Sequence, residues 1–506
     1  MDSIGLEFGS TRIKSVLADE NGKIKSVGIY DWENKFENGY WTYSEEDIKK
    51  GMSLCLQNLF ENCKEKFNVK NIGISGMMHG YISLDKNGKM LVPFRTWRNT
   101  GCVKASAELS KAFGVDIPTR WSVSHLYQAI LDNEPHINEI DYITTLSGYI
   151  HFLLTGKKVL GIGDASGMFP IDYRKGDFDE ALLEKFDSLA NEKGFNRKLR
   201  KILPKVLRAG REAGVLTEAG EKLFNNENLK KGIAFCPPEG DAGTGMVATD
   251  SVKVGEGNLS AGTSAFVMVV LEKPLSKSYP EIDIVATPDG LPVAMVHCNN
   301  CTCDINAFAS LFDEVLKLFG VETSKSVLFE KLFAESLKGR ENCGKAVNFN
   351  YISGEPLIGL TTGKSMVITD AERAITLPNF MKSLIYGALI SLRYGMEILW
   401  KENVKIHKVC GHGGFFKGGE ASLKATSEIL KTPVTVMENA GEGGAWGMSL
   451  LASYKNSESG LPDFLENIFS GNKSVTYRAE KKDVLKTDEY IKLYDSYLKA
   501  EKVLDN

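Results

Sequence analysis

One carboxylate stands in a stretch nearly bare of side chains: "PPEGDAGTGM", residues 237–246, sets Asp241 among glycine, alanine and threonine. Two chemistries fit. Gly and Asp collect in exposed turns for steric reasons, or a thin backbone lets a ligand reach an acid that can take a proton from it. A second acid, Glu7, lies in "GLEFGSTRIKSVLA", where Gly9, Ser10 and Thr11 make a small-residue turn and Lys14 follows on the next strand. Successive small residues let backbone N–H groups and hydroxyls converge on phosphate oxygens. Lys14 would add a cation there, and Glu7 could hold the magnesium ion accompanying a nucleotide, directly or through water. Two plain β-hairpins explain the same spacing.

The pattern recurs. Laid over "NLSAGTSAFVMVVL", the first hairpin puts Glu7 on Ser260 and Gly9 on Gly262 at one offset, so Gly262, Thr263 and Ser264 form the second turn. Each copy reads strand, polar turn, strand, and each opens one half of the chain. That arrangement predicts two domains of one design, 1–248 and 249–506. A third cluster, "VCGHGGFFKGGEASLKATSEILKTPV", reads as strand, glycine turn and helix. Gly411, Gly413 and Gly414 could give a flat purine room against the backbone; a strand-to-helix connector is the plainer account.

Common phosphate templates fail. "GLTTGKS" (359–365) has three residues between its glycines where the P-loop needs four. "GIGDASG" (161–167) misses the dinucleotide fingerprint by one residue, so both are expected to be ordinary turns. "CNNCTC" (Cys298, Cys301, Cys303) offers one metal hook where structural zinc normally uses two.

The elements that must position these residues follow from periodicity. Apolar residues at helical spacing predict helices near 44–67, 102–114, 123–133, 144–155, 304–319, 326–339, 376–402 and 417–431, and a charged helical tail from 478. "NIGISG", "IHKVCGHGG" and "PVTVME" read as strands, the last leading through "NAGEGGA" into "WGMSLLASY". A chain of 506 residues is too long for one core. With 43% hydrophobic and 25% charged residues it has an ordinary globular composition, and a net charge of −4 argues against a nucleic-acid surface. No run approaches the length of a membrane span and no leader pattern opens the chain, so nine reduced cysteines in a cytoplasmic protein are expected.

The motif order "E-F-G-S-T-x-x-K", "G-M-M-H-G", "G-D-A-G", "S-A-G-T-S" and "G-H-G-G-F-F-K", spread over nearly the whole chain, resembles the FGGY family of carbohydrate kinases. "DASGMFPID", "YISGEP", "YGALISLRYGMEIL" and "GEGGAWGMSLLA" add to it. The resemblance implies an α/β fold of two actin-like (ribonuclease H-like) domains, mixed sheets flanked by helices, with a cleft between them for MgATP and an open-chain sugar. By the same resemblance Asp241 is the catalytic base and touches substrate, Met78, His79, Trp97 and Asn99 line the sugar, and Glu7 lies near the magnesium. Gly9, Ser10, Thr11 and Lys14 belong to the first phosphate loop, Gly262, Thr263 and Ser264 to the second, and Gly413, Gly414 and Lys417 to the adenosine loop.

"GMMHG" and the tail "YIKLYDSYLKAEKVL" look most like xylulose and ribulose kinases, so a ketopentose is the favoured acceptor. Ser10 stands where the family usually has Thr, and three further positions depart from its pattern: Glu7 for Asp, Ala242 for Asn, and Asn99 for an acid. They leave open a kinase for a polyol or deoxy-hexulose, and an inactive sugar-binding regulator of the same fold. The expected partners are the sugar and ATP, with no nucleic acid and no membrane; a homodimer is one assembly the reading admits.

Overall fold

A computed structural model of the chain describes residues 1–369, 375–437, 443–455 and 457–504. The chain condenses into two compact units. One comprises Met1–Val252, Glu272–Val293 and Glu442–Gly471; the other comprises Lys253–Leu271, Ala294–Gly441 and Asn472–Asn506.

The first unit is built on a six-stranded mixed sheet. Its strands are β1 (Asp2–Phe8), β2 (Arg12–Ala18), β3 (Ile24–Asp31), β4 (Val69–Gly76), β5 (Ala234–Phe235) and β6 (Glu239–Gly240), ordered β5-β4-β1-β2-β3 with β6 also on β4. β1 runs antiparallel to β2 and parallel to β4. Alternate residues explain one covered face: Ile4, Leu6 and Phe8, with Ile72 and Ile74, are buried with Ile48, Met52, Leu56 and Leu59 of the helix Glu45–Asn62. That helix starts where Ser44 accepts the Asp47 N–H, with three acids in its first turn to suit the helix dipole.

On the sheet, Gly5 and Gly73 are register partners. A Cβ on Gly5 would lie 2.0 Å from the Ala445 carbonyl oxygen, and one on Gly73 2.4 Å from Met448 Cε. Two glycines abreast therefore make the trough that seats the helix Gly443–Tyr454.

The second unit repeats the plan. β7 (Glu256–Ala261), β8 (Ala265–Val270), β9 (Pro292–Cys298), β10 (Lys408–His412), β11 (Val434–Met437) and β12 (Ser474–Tyr477) lie in the order β9-β8-β7-β10-β11-β12. β7 runs antiparallel to β8 and parallel to β10, as β1 does to β2 and β4. The repeat read in the sequence is thus a repeat of topology. Phe8 pairs with Gly76 and Ser260 with His412, so "GMMHG" and "GHGG" leave corresponding strand ends.

The long apolar helices fall where periodicity put them, as Val103–Phe113, Ser122–Leu131, Leu146–Thr155, Cys303–Leu318, Lys325–Ser336, Leu377–Lys401 and Glu420–Leu430. The start of the glycine turn "NAGEGGA", residues 439–442, lies outside the described residues. Among the described residues no helix is long and apolar enough to cross a membrane.

Candidate active site

Asp241 begins a helix rather than sitting in a turn. β6 ends at Gly240, and Asp241 is the first residue of the helix Asp241–Ala248. Its Oδ1 accepts the backbone N–H of Met78 at 3.1 Å and that of Ala242 at 3.0 Å. Burial still holds its proton affinity above the ordinary carboxylate range. The bare surroundings have packing reasons. A Cβ on Gly240 would lie 2.2 Å from Met78 Cγ, and one on Gly447 of the neighbouring helix 2.0 Å from the Thr244 carbonyl oxygen.

Glu7 is in the same unit, at the end of β1. Its Oε2 accepts the Ala445 N–H at 3.0 Å, near the start of the helix Gly443–Tyr454. Burial first, and then the charge of Asp241, raise its pKa to about 7, against the pull of the Ala445 N–H and Lys14. Lys14 is its register partner on β2.

The Gly9–Thr11 turn is held from behind. Gly9 N–H donates to the Arg12 carbonyl, closing the turn. Trp32 Nε1 donates to the Gly9 carbonyl at 2.7 Å, Tyr43 Oη to that of Ser10, and Trp32 N–H to that of Thr11 at 3.1 Å. All three carbonyls are thereby drawn to one side by Trp32 and Tyr43, whose rings stack at 4.1 Å. The second loop, in the other unit, is tied back by the same device. Thr302 N–H and Oγ1 donate to the Gly262 carbonyl at 3.0 and 2.8 Å, and Cys301 N–H donates to that of Thr263 at 2.8 Å. The "CNNCTC" run is therefore the wall behind this loop: Cys303 Sγ donates to the Thr263 carbonyl and Cys298 Sγ to that of Ala265. Sequence reasoning missed all of these supports. The cysteine spacing drew attention to metals instead, and Trp32 and Tyr43 carry no local motif.

Met78 and His79 are buried. His79 has φ 67° and Gly80 φ 80°, two consecutive left-handed residues, a conformation that is strained for a non-glycine. Ser122 Oγ donates to the Gly80 carbonyl at 2.6 Å and Gly80 N–H to the Arg120 carbonyl at 3.1 Å, which holds the turn. His79 Nδ1 lies 3.2 Å from the Gly167 carbonyl oxygen, and its ring is stacked with Trp121. A carbonyl can only accept, so Nδ1 carries the proton and Nε2 is the acceptor in the neutral ring.

Trp97 is 38% exposed, and its Nε1 donates to Ser10 Oγ at 3.4 Å. Asn99 is differently placed. It is 8% exposed, its Oδ1 accepts the Trp41 N–H at 2.8 Å, and its Nδ2 donates to the Trp41 and Thr96 carbonyls. Its amide is taken up at both ends in clamping the backbone.

In the second unit Gly413 has φ 98°, and a Cβ there would lie 2.4 Å from the Ala261 carbonyl oxygen. Gly413 and Gly414 are exposed, and Lys417 is exposed on the 3-10 turn Gly414–Gly418. Gly411 leaves no room for a purine, because its space is filled by the Phe416 ring, 2.3 Å from a Cβ position. "GIGDASG" is not an ordinary turn either. Gly161 ends a short strand, Ile162–Ala165 is a helical turn, and the glycines make room for the Glu239 carboxylate, 2.2 Å from a Cβ on Gly161 and 2.5 Å from one on Gly163.

Two units that each open with a β-hairpin beside a parallel strand, with phosphate-loop composition at each turn, define the actin-like class of ATP-using enzymes. Comparison with known proteins refines this. The model of the FGGY family of carbohydrate kinases, N-terminal domain, matches residues 3–235, and that of the C-terminal domain matches 257–455. The chain belongs to this family and is an ATP-dependent sugar kinase. It is 23% identical to a xylulose kinase of Haemophilus influenzae over 489 residues, covering 92% of this chain and 93% of that one. Among solved structures, a xylulose kinase from Rhodospirillum rubrum superposes with a TM-score of 0.81 at 18% identity, covering 100% of this chain and 99% of the other. A ligand-bound xylulose kinase from Lactobacillus acidophilus gives a TM-score of 0.81 at 16% identity, covering 100% and 98%.

Proposed function

We propose that the acceptor is a ketopentose of the xylulose or ribulose type, phosphorylated at a terminal hydroxyl, with Asp241 as general base. The anchoring of Asp241 carries the reading. Oδ1 is fixed by two backbone amides, which leaves the other oxygen of a buried, proton-attracting carboxylate to take a hydroxyl proton. Met78, whose N–H supplies one of those bonds, is adjacent to His79, so the base and the sugar-contacting pair are set by one turn. The full-length similarity to a xylulose kinase supports the choice of sugar.

Magnesium fits the donor set. Burial and the charge of Asp241 raise the cost of ionising Glu7, a cost that a divalent cation removes, and both carboxyls are hard oxygen donors. Glu7 would hold the ion, which neutralises charge on the transferring phosphoryl group when bound. Gly9 and Gly262 spend their N–H groups closing their own turns, so the N–H groups of Ser10 and Thr11 and of Thr263 and Ser264, with Lys14, would take phosphate oxygens, and Gly413, Gly414 and Lys417 the adenosine end. Asp241 then removes the proton as the hydroxyl oxygen bonds to the γ-phosphorus and the bond from that phosphorus to the β-phosphate oxygen breaks, so that ADP leaves with the electron pair.

An ADP-release assay over pentuloses, hexuloses, glycerol and erythritol tests the reading. A pentulose should give the highest kcat/KM. Preference for any other class by more than about tenfold, or ~1.4 kcal/mol of transition-state discrimination, sinks it. For the metal, Glu7→Gln should raise the magnesium needed for half-maximal rate; an unchanged titration removes Glu7 from the site.

A further inference from the structure

Glu239 is buried two residues before the base, and nothing in the proposed chemistry uses it. Its Oε1 accepts the Gly163 N–H at 3.2 Å and its Oε2 the Asp164 N–H at 2.9 Å. Among the described residues no cation lies against it, and burial and the neighbouring Asp164 carboxyl raise its pKa to about 8, opposed by backbone N–H groups, so it holds its proton at neutral pH. A buried carboxyl without a cationic partner is costly. Two glycines have given up side chains to admit it, since a Cβ on Gly161 or Gly163 would meet its oxygens.

The segment it grips is a junction within the first unit. Asp164 Oδ2 accepts the hydroxyls of Thr145, at 2.7 Å, and Ser147. Asp164 Oδ1 is buried without a partner among the described residues, 3.4 Å from a Cβ position on Gly240. Ser166 Oγ accepts the Ala286 N–H at 2.9 Å, from the returning segment. Gly167 N–H donates to the Asp164 carbonyl, and the Gly167 carbonyl receives His79 Nδ1. On its other side β6 is held in register on β4, Glu239 with Ser75 and Gly240 with Gly76.

We propose that Glu239 is a positioning residue for phosphoryl transfer: its carboxyl group locks the strand that delivers Asp241 to the short helix Ile162–Ala165, just beyond whose end the Gly167 carbonyl orients His79. The inference rests on Asp241 being the base. Base and sugar-orienting histidine are far apart in sequence, and Glu239 joins their supports through two hydrogen bonds. Displacement of a catalytic group by about 1 Å can cost on the order of a hundredfold in rate, so a lock of this kind has kinetic weight.

Four variants test it with the best sugar of the panel. Glu239→Gln keeps the shape but offers one acceptor where two N–H groups point. Gly163→Ala leaves Glu239 in place and drives a methyl into its carboxylate. Both should lower kcat/KM for the sugar by about tenfold to a hundredfold, with the KM for ATP within about twofold of wild type and thermal unfolding still cooperative. The double variant Gly163→Ala, Glu239→Ala should be no worse than Glu239→Ala, because the methyl then enters vacated space, a non-additivity reporting direct coupling.

Wild-type sugar kinetics in Glu239→Gln and Gly163→Ala overturn the proposal. So does a loss of active protein in which sugar and ATP parameters of the folded fraction stay unchanged. Asp241→Asn, measured alongside, separates the two readings. If it is crippled while both Glu239-site variants are normal, Glu239 has no positioning role and the base stands. If it is near wild type, the base assignment falls and the positioning role with it.

Discussion

The Met78 backbone N–H donates to Asp241 Oδ1 at 3.1 Å, bridging 163 residues of sequence. One hydrogen bond thus fixes the orientation of the carboxylate relative to the turn that carries His79. Asp241→Asn is nearly isosteric and keeps an acceptor for that N–H, but cannot take a proton. We expect kcat to fall about 10² to 10⁴-fold, the usual contribution of a positioned base, with the KM for ATP and the fold little changed. Steady-state kinetics decide; retention of more than about a tenth of wild-type kcat would make Asp241 a structural helix-start residue.

His79 holds a left-handed backbone that Asn tolerates better than most residues. His79→Asn should therefore fold normally while losing the imidazole. The expected result is a rise in sugar KM of about tenfold or more with ATP KM unchanged. A rise in ATP KM of the same size would place His79 elsewhere.

Thr302→Val removes the hydroxyl bond to the Gly262 carbonyl and leaves the backbone bond in place. A neutral hydrogen bond contributes about 0.5–1.5 kcal/mol, so ATP KM should rise roughly two- to tenfold, with sugar KM unmoved and Thr302→Ser restoring most of the loss. Equal effects on both substrates would show that the second loop is not what Thr302 supports.

Asn99→Ala strips partners from the buried Trp41 and Thr96 backbone groups. The structure predicts a stability loss of about 1–3 kcal/mol, read by chemical denaturation, and no change in the ranking of sugars. A changed ranking would return Asn99 to the substrate.

Stability without ligands should fall as pH rises from about 6.5 to 8. Buried Glu7 and Asp164, near 7, and Glu239, near 8, keep their protons in the native state longer than in the unfolded chain, so raising pH through this window favours unfolding. Buried His125, near 3, and His151 and His412, near 4, act the other way, but only up to the unfolded histidine value of 6.5. Above it these histidines no longer oppose the carboxyls. Melting temperatures across pH 6 to 8.5 should decline, and less so in Glu239→Gln; a rising curve refutes the assignment.

What the sequence determined by itself was local or repeated. Helical periodicity placed the long helices, and small-residue turns between apolar strands announced both hairpins, because these signals lie within a few residues of their cause. The duplicated topology was legible for the same reason: Glu7 on Ser260 is one alignment of one motif. Contacts between distant segments left no such local signal. Gly5 and Gly73 look like any strand glycines until register sets them side by side beneath the helix Gly443–Tyr454. "GIGDASG" reads as a failed nucleotide fingerprint until Glu239, some 75 residues later, enters its space. Asn99 gives no hint in the sequence that its amide is clamped to Trp41, 58 residues away. Close packing and buried hydrogen bonding are satisfied by whichever segments the fold brings together, and no local pattern records that choice.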